Sequence, residues 1–287
     1  MHFDKVGFIG LGLIGGSIAR KMKENNPKVS IIATAGHQQT IEDAFGLGLI
    51  DNNELLELNS FKDCDVIFLC APVNKNIEYL TQLKDIIKDD CIITDVGSTK
   101  TQIHEKVIEL GLERNFIGGH PMTGSEKTGI LNSDKQLLEN AYYIITPTAA
   151  TTEENQNDFK QFVLSLGSIA LILDYREHDH ATAAISHLPH MIAYSLVNLI
   201  EHIDSEKETM KTIAAGGFRD VTRIAASSPV MWENICESNK NQLLSLMDQY
   251  EANFHKLREI IADGCSQKML DYFQDSKNYR DSLTLPG

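Results

Sequence analysis

The polar and apolar positions of this chain fall into two regimes that meet near residue 173. Up to that point, short continuous apolar runs alternate with longer stretches of helix-compatible character. The runs are 6–9 (VGFI), 29–34 (VSIIAT), 64–70 (CDVIFLC), 91–96 (CIITDV), 116–118, 142–146 and 168–173 (SIALIL). Runs of this length without polar alternation predict strands buried on both faces. Their spacing by helical segments predicts a parallel sheet with crossover helices. From about Asp174 the strand-like runs disappear. Helical periodicity then predicts helices over 181–202, 205–216, 231–262 and 265–279, with breaks at Gly216-Gly217 and Ser227-Ser228-Pro229. The expected division is residues 1–173 and 174–287. A helical unit of about 110 residues cannot easily bury so much apolar surface alone, so a homodimer formed through it is expected.

The first apolar run leads straight into Gly10-Leu11-Gly12-Leu13-Ile14-Gly15, ahead of a helix-compatible stretch at 18–24. Alone, such a hexapeptide is weak, since glycines often serve only turns. Between a first strand and a helix it reads as a dinucleotide site. Gly10 allows the tight turn, Gly12 admits a pyrophosphate to the backbone, Gly15 lets helix and strand pack closely, and the helix N-terminus offers free N–H groups. The fold class is therefore α/β: an N-terminal Rossmann-type, doubly wound, mostly parallel sheet followed by an all-α domain.

Ligands in such sheets bind beyond the carboxyl ends of the strands. Three of these ends are small or polar: Ala71-Pro72-Val73, Asp95-Val96-Gly97-Ser98 and Gly118-Gly119-His120-Pro121. Cofactor contacts are accordingly expected from Gly10, Leu11, Gly12, Leu13, Ile14 and Gly15, and from Thr34, Ala71, Pro72, Val73, Gly97 and Ser98. The second strand ends Ile32-Ala33-Thr34-Ala35-Gly36-His37, with neither the acid that selects NAD nor an arginine that selects NADP. Thr34 and His37 could contact a 2′-phosphate, so both cofactors stay open at this level.

Composition narrows the partners. A formal net charge of −14 argues against nucleic acid, which needs a basic footprint, while leaving room for a local basic pocket. No apolar run approaches the ~20 residues of a membrane span, and the chain start does not resemble a signal peptide. Five cysteines (Cys64, Cys70, Cys91, Cys236, Cys265), without a C-x-x-C, read as reduced packing residues of a cytoplasmic protein.

Four segments concentrate polar chemistry. In Asp95-Val96-Gly97-Ser98-Thr99-Lys100, Ser98 or Thr99 could simply cap the next helix, or Ser98 could face the nicotinamide and substrate. His120 could be a hydrogen-bonded structural residue. On the ligand side of the sheet, a neutral imidazole there could instead accept the proton of a substrate hydroxyl during hydride abstraction. His187 and His190 share a helix face, but there is no H-E-x-x-H and hydride transfer needs no metal, so helix packing is the stronger reading and no metal is expected. The adjoining Glu177-His178-Asp179-His180 reads as a solvated or capping face. Arg219 and Arg223, after Gly216-Gly217, could bind acids on the surface or clamp a substrate carboxylate in the interdomain cleft.

Together these segments resemble the prephenate/arogenate dehydrogenase family of tyrosine biosynthesis. The resemblance rests on GLGLIGGS at 10–17, DVGSTK at 95–100, GGHPMTGSEKTG at 118–129, SHLPH at 186–190 and GGFRDVTRIAASSPVMW at 216–232. It implies oxidative decarboxylation of prephenate to 4-hydroxyphenylpyruvate, with hydride passing to a nicotinamide cofactor, NAD by preference. It assigns His120 as hydrogen-bond acceptor for the 4-hydroxyl, Ser98 as a second bond to that hydroxyl, Arg223 to a substrate carboxylate and His190 to fixing the substrate, with His187 the second candidate. Glu126 and Arg219 would form a gating ion pair. Trp232 would lie near the site or across a dimer interface, and a core role fits it equally. No acidic partner for the arogenate ammonium is identifiable, so prephenate is the default. Some relatives continue into an ACT domain after a segment like Tyr279-Arg280-Asp281-Ser282-Leu283, close to where this sequence stops. A β-hydroxyacid dehydrogenase would need a helical lysine in a G-x-x-x-K setting, whereas Lys211 precedes its glycines. A non-catalytic NAD(H) sensor would have no use for His120, Ser98 and Arg223 together.

Overall fold

The computed structural model describes residues 3–125 and 127–283. Strands β1 (Lys5–Ile9), β2 (Ser30–Thr34), β3 (Val66–Leu69) and β4 (Ile92–Asp95) form a parallel sheet in the order β2-β1-β3-β4. β5 (Ile117–Pro121) continues it alongside β4 through a parallel bridge between Ile93 and Phe116. The crossovers include α1 (Leu13–Asn25), α2 (Gln38–Gly46), α3 (Val73–Leu83) and α4 (Thr101–Leu110). Side chains alternate between two cores. Val6, Phe8, Val66 and Phe68 belong to one, and Ile9, Ile67 and Leu69 to the other. Burial on both faces is why these strands are uninterrupted apolar runs in the sequence.

The last two strands depart from the parallel expectation. β6 (Tyr142–Pro147) runs antiparallel to β5, and β7 (Ile169–Ile172) runs parallel to β6 across α5 (Glu153–Ser165). Among its described residues the connection from β5 to β6 holds only short 3₁₀ turns and no crossover helix, and the chain returns beside β5 in the opposite direction. The sheet remains mostly parallel.

Past β7 the structure is helical. α6 (Tyr175–Thr182), a π-helical turn (Ala183–His187) and α7 (Leu188–Ile203) form one continuous helix of 29 residues. By length and composition this helix could cross a membrane. The sequence shows no such uninterrupted run because His178, Asp179, His187 and His190 break it, and the structure places these against the sheet domain and the following helices. Beyond it lie α8 (Thr209–Ile213), α9 (Gly216–Thr222), α10 (Pro229–Ser238), α11 (Lys240–Asp263) and α12 (Ser266–Ser282). The expected 205–216 helix shrinks to five residues, because Glu208 adopts a left-handed conformation and Ala215 ends the segment extended. The expected 231–262 helix is two, parted at Asn239. Apolar burial is sparse here. Leu199, Ile203, Ile213, Phe254, Ile261, Leu270 and Phe273 are all exposed.

Candidate active site

The glycine-rich turn links β1 to α1. Gly10 sits at φ +87°, and a Cβ there would meet the Ala71 backbone nitrogen at 2.5 Å, so only glycine lets the turns after β1 and β3 touch. The Gly10 N–H donates to the Thr34 carbonyl (2.9 Å), joining the turn to the end of β2. A Cβ on Gly12 would meet no protein atom closer than 4.0 Å. That leaves open space over the N-terminus of α1, whose first turn carries no acid, as a pyrophosphate requires.

The three predicted loops are contiguous. A Cβ on Gly97 would lie 3.1 Å from Val73, and one on Gly119 would lie 2.7 Å from the Asp95 carbonyl oxygen. Asp95, fully buried at the end of β4, binds the set together. Its carboxylate accepts from the Gly97 N–H (2.9 Å), the Gly119 N–H (3.3 Å) and Lys100 Nζ (2.5 Å). Lys100 Nζ also donates to the carbonyls of Gly97 (2.7 Å) and Thr99 (3.2 Å), so its ammonium is satisfied without water. The loop carrying Ser98 is thereby wrapped around a buried ion pair, with Ser98 itself half-buried.

Neither Ser98 nor Thr99 caps α4. Thr99 Oγ1 donates to Ser238 Oγ (2.9 Å), and the cap comes from far along the chain. The Asp179 carboxylate accepts the N–H groups of Lys100 and Thr101, each at 2.7 Å. The reading of residues 177–180 as a solvated or capping face holds in part: Glu177 and His180 are exposed and Asp179 does cap, though it caps α4 and not its own helix. His178 and Asp179 are fully buried, and Asp174 caps their helix instead. Asp179 Oδ1 also lies 2.8 Å from His178 Nδ1, and His178 Nε2 lies 2.8 Å from His120 Nδ1. The signal was present as a stripe. Tyr175, His178, Asp179 and Thr182 are spaced as one helix face, and all four are buried.

His120 lies inside β5, paired with Ile144, and not in a loop after a strand. Gly-Gly-His-Pro has little strand propensity, so only the neighbouring strands reveal it. Burial first, then His178, Lys100 and His187, holds its pKa well below the ordinary value, so the imidazole is neutral at pH 7. Burial raises the Asp179 carboxyl, but hydrogen bonds from His178 and Thr101 outweigh it, and the group stays ionised.

His187 and His190 occupy different environments. His187 is buried, with Nδ1 accepting from Asn239 Nδ2 (3.3 Å), which also donates to the Asp179 carbonyl (2.8 Å). Burial pushes its pKa down to about 4. His190 is half-buried, and its Nδ1 donates to the Ser186 carbonyl (2.9 Å). Its ring stacks on Trp232 at 3.8 Å, while His187 meets the same indole edge-on at 5.9 Å. Trp232 is thus a buried residue packed against both histidines. Burial, and more weakly the Arg223 charge, lower the pKa of His190 against the opposing hydrogen bond to Ser186. Arg223 and Arg219 are both exposed. The expected Glu126–Arg219 pair lies outside the described residues, because Glu126 does. Among the described residues no cluster of histidine, cysteine and acids could hold a metal ion.

Comparison with known proteins agrees with this geometry. Residues 18–171 match the family description "Prephenate dehydrogenase, nucleotide-binding domain", and residues 174–275 match "Prephenate dehydrogenase, dimerization domain". Prephenate dehydrogenase of Bacillus subtilis is 36% identical over 284 residues, covering 98% of this chain and 76% of its own. The crystal structure of A. aeolicus prephenate dehydrogenase with hydroxyphenyl propionate and NAD+ superposes with a TM-score of 0.92 at 28% identity, covering 99% of both chains. Synechocystis arogenate dehydrogenase gives 0.85 at 29% identity, covering 98% of this chain and 100% of that one. The chain belongs to the prephenate dehydrogenase family of oxidoreductases.

Proposed function

We propose that this protein is an NAD-linked prephenate dehydrogenase of the cytoplasm. In this reading it decarboxylates prephenate oxidatively to 4-hydroxyphenylpyruvate in tyrosine biosynthesis. Residues 1–173 hold the cofactor, and residues 174–287 complete the substrate site and form a homodimer. The observation that carries the reading is His120, a buried neutral imidazole at the carboxyl end of β5. Its Nδ1 is engaged within the protein, and its Nε2 has no partner among the described residues.

The open cradle over Gly12 fits a dinucleotide pyrophosphate. Leu11, Leu13, Ile14 and Gly15 would flank it, Thr34 would face the ribose, and Ala71, Pro72, Val73 and Gly97 would line the path to the nicotinamide. When bound, NAD supplies the hydride acceptor. His120 Nε2 takes the proton of the ring hydroxyl as the hydride leaves the same carbon, and Ser98 orients that hydroxyl. Arg223 holds a substrate carboxylate from the outer wall, with His190 beside it on Trp232. Loss of the ring carboxylate as CO2 yields an aromatic ring, so the protein's task is orientation and proton acceptance. The exposed apolar side chains of α7, α11 and α12 support burial against a second copy.

The test is reduction of NAD or NADP by the purified protein with prephenate or arogenate, followed by the absorbance of the reduced nicotinamide. Turnover with prephenate and NAD is expected. Turnover only with arogenate would move the substrate specificity, and turnover only with NADP would move the cofactor specificity, which the acid-free end of β2 leaves lightly guarded. No turnover in any combination would put a non-catalytic dinucleotide sensor in its place.

A further inference from the structure

His178 and Asp179 are fully buried, like Asp95 and Lys100, but they alone of these four are joined to the His120 ring by side-chain hydrogen bonds among the described residues. We infer that Asp179 and His178 are positioning residues that fix His120 as a base at Nε2 and take up its positive charge as it accepts the substrate proton. The inference rests on the dehydrogenase reading for its chemistry, but the geometry behind it does not.

Hydrogen-bond inventory dictates the wiring. An ionised carboxylate only accepts, so His178 Nδ1, 2.8 Å from Asp179 Oδ1, must carry a proton. Burial outweighs the pull of Asp179 and keeps His178 neutral, so its Nε2 is bare. The 2.8 Å contact is then a bond from His120 Nδ1–H to His178 Nε2. A neutral His120 with its proton on Nδ1 has a bare Nε2, as proton abstraction requires. Asp179 is itself held by the Lys100 and Thr101 N–H groups, so the register of the array is set by the start of α4.

The same array handles the charge. When one proton arrives at His120 Nε2, the Nδ1 proton can pass to His178 Nε2, giving a His178 imidazolium against the Asp179 carboxylate. One proton has entered, one has moved, Asp179 has stayed ionised, and no bond to carbon is involved. Among the other charged or titratable neighbours of these two rings, Lys100 disfavours a cation on both and His187 disfavours it on His120, while Asp95 favours one on His178 but is itself paired with Lys100. Among the described residues, Asp179 is the one carboxylate hydrogen-bonded to either ring.

The test uses the full chain and two independent readouts. Nitrogen-15 NMR of histidine-labelled protein at pH 7 should report both His120 and His178 as Nδ1–H tautomers. His178→Gln preserves an acceptor for His120 Nδ1–H but cannot take a proton. It should keep KM within about threefold, lower kcat by about tenfold or more and move the acid limb of kcat/KM to lower pH. His178→Ala should lose more than His178→Gln. Asp179→Asn should move the acid limb in the same direction, and the glutamine variant keeps the test alive if loss of the α4 cap prevents folding. A His120 Nε2–H tautomer in the wild type, or a His178→Gln variant with an unchanged pH profile and kcat, would overturn the inference. If the wild type turns over no prephenate, the dehydrogenase reading fails, while the tautomer measurement still decides the wiring.

Discussion

Asp95 and Asp179 both lie fully buried against the 97–100 loop, and protein groups donate to both carboxylates. Asp95 is met by Gly97, Gly119 and Lys100, and Asp179 by Lys100, Thr101 and His178. Their surroundings differ in what lies one bond further out. Lys100 ends its network, because each remaining hydrogen of its ammonium goes to a carbonyl of the same loop. His178 extends its network, because an imidazole that donates from one nitrogen accepts at the other, and the chain of bonds runs on to His120. A carboxylate beside an ammonium holds a shape, whereas one beside an imidazole also conveys the state of a distant proton.

If that distinction is right, substitutions on the two sides should fail in different ways. The largest effect is expected from Lys100→Met, which leaves Asp95 as an uncompensated buried charge. Thermal and denaturant unfolding should register a loss of about 3–5 kcal/mol. A loss under ~1 kcal/mol would mean water reaches Asp95 and the closed network is not closed. On the other side, His120→Asn should reduce kcat by about 100-fold or more while the melting temperature stays near the wild type, since the residue acts on a proton and not on the fold. Unchanged kinetics would remove His120 from the reaction.

The buried imidazoles also set an acid limit. His104 and His187 have folded pKa values pushed down by burial to about 3 and about 4, below the ordinary 6.5. Between pH 6.5 and about 4 the unfolded chain therefore binds protons that the folded chain refuses. The stability these groups contribute is present above pH 6.5 and lost as pH falls, at up to about 1.4 kcal/mol per pH unit for each. A melting temperature flat from pH 7 to 4.5 would contradict this. The smallest effect belongs to the outer wall. Arg223→Ala should raise KM for the substrate by about tenfold with little change in kcat, because an exposed guanidinium binds the ground state and transition state alike. A fall in kcat with unchanged KM would place Arg223 at the reacting centre instead.

These regions were unequally legible in the sequence. Strands β1 to β4 are doubly buried, so composition alone marks them, and the Gly10–Gly15 spacing carries its own geometry. Ser98, His120 and Arg223 could be singled out because glycines and strand ends flank them. His178 and Asp179 could not. Their chemistry depends on a partner 58 positions earlier in the chain, and a His-Asp pair at a helix start looks the same whether it faces water or a sheet. The reversal of β6 and β7 was hidden for a related reason. Strand direction is set by the connection, and the 122–141 segment lacks a helical pattern that would force a crossover. In the helical half, periodicity located the helices but not Asn239 or Glu208, where single residues leave helical geometry.

The π-helical turn at Ala183–His187 gives the site an unusual dependence on length. It packs one residue more into its turn than an α-helix would, just ahead of Pro189. Because of that extra residue, deleting one of the five would let regular α-geometry resume with every later side chain still in phase with His178 and Asp179, whereas straightening the turn at constant length would swing them by about 100°. Straightened in that way, the helix would carry His190 off Trp232, although no atom of His190, Trp232 or the cofactor cradle had been altered. A one-residue gap over these five positions should therefore be tolerated far better than the same gap elsewhere between Asp179 and His190, where it would turn His190 away.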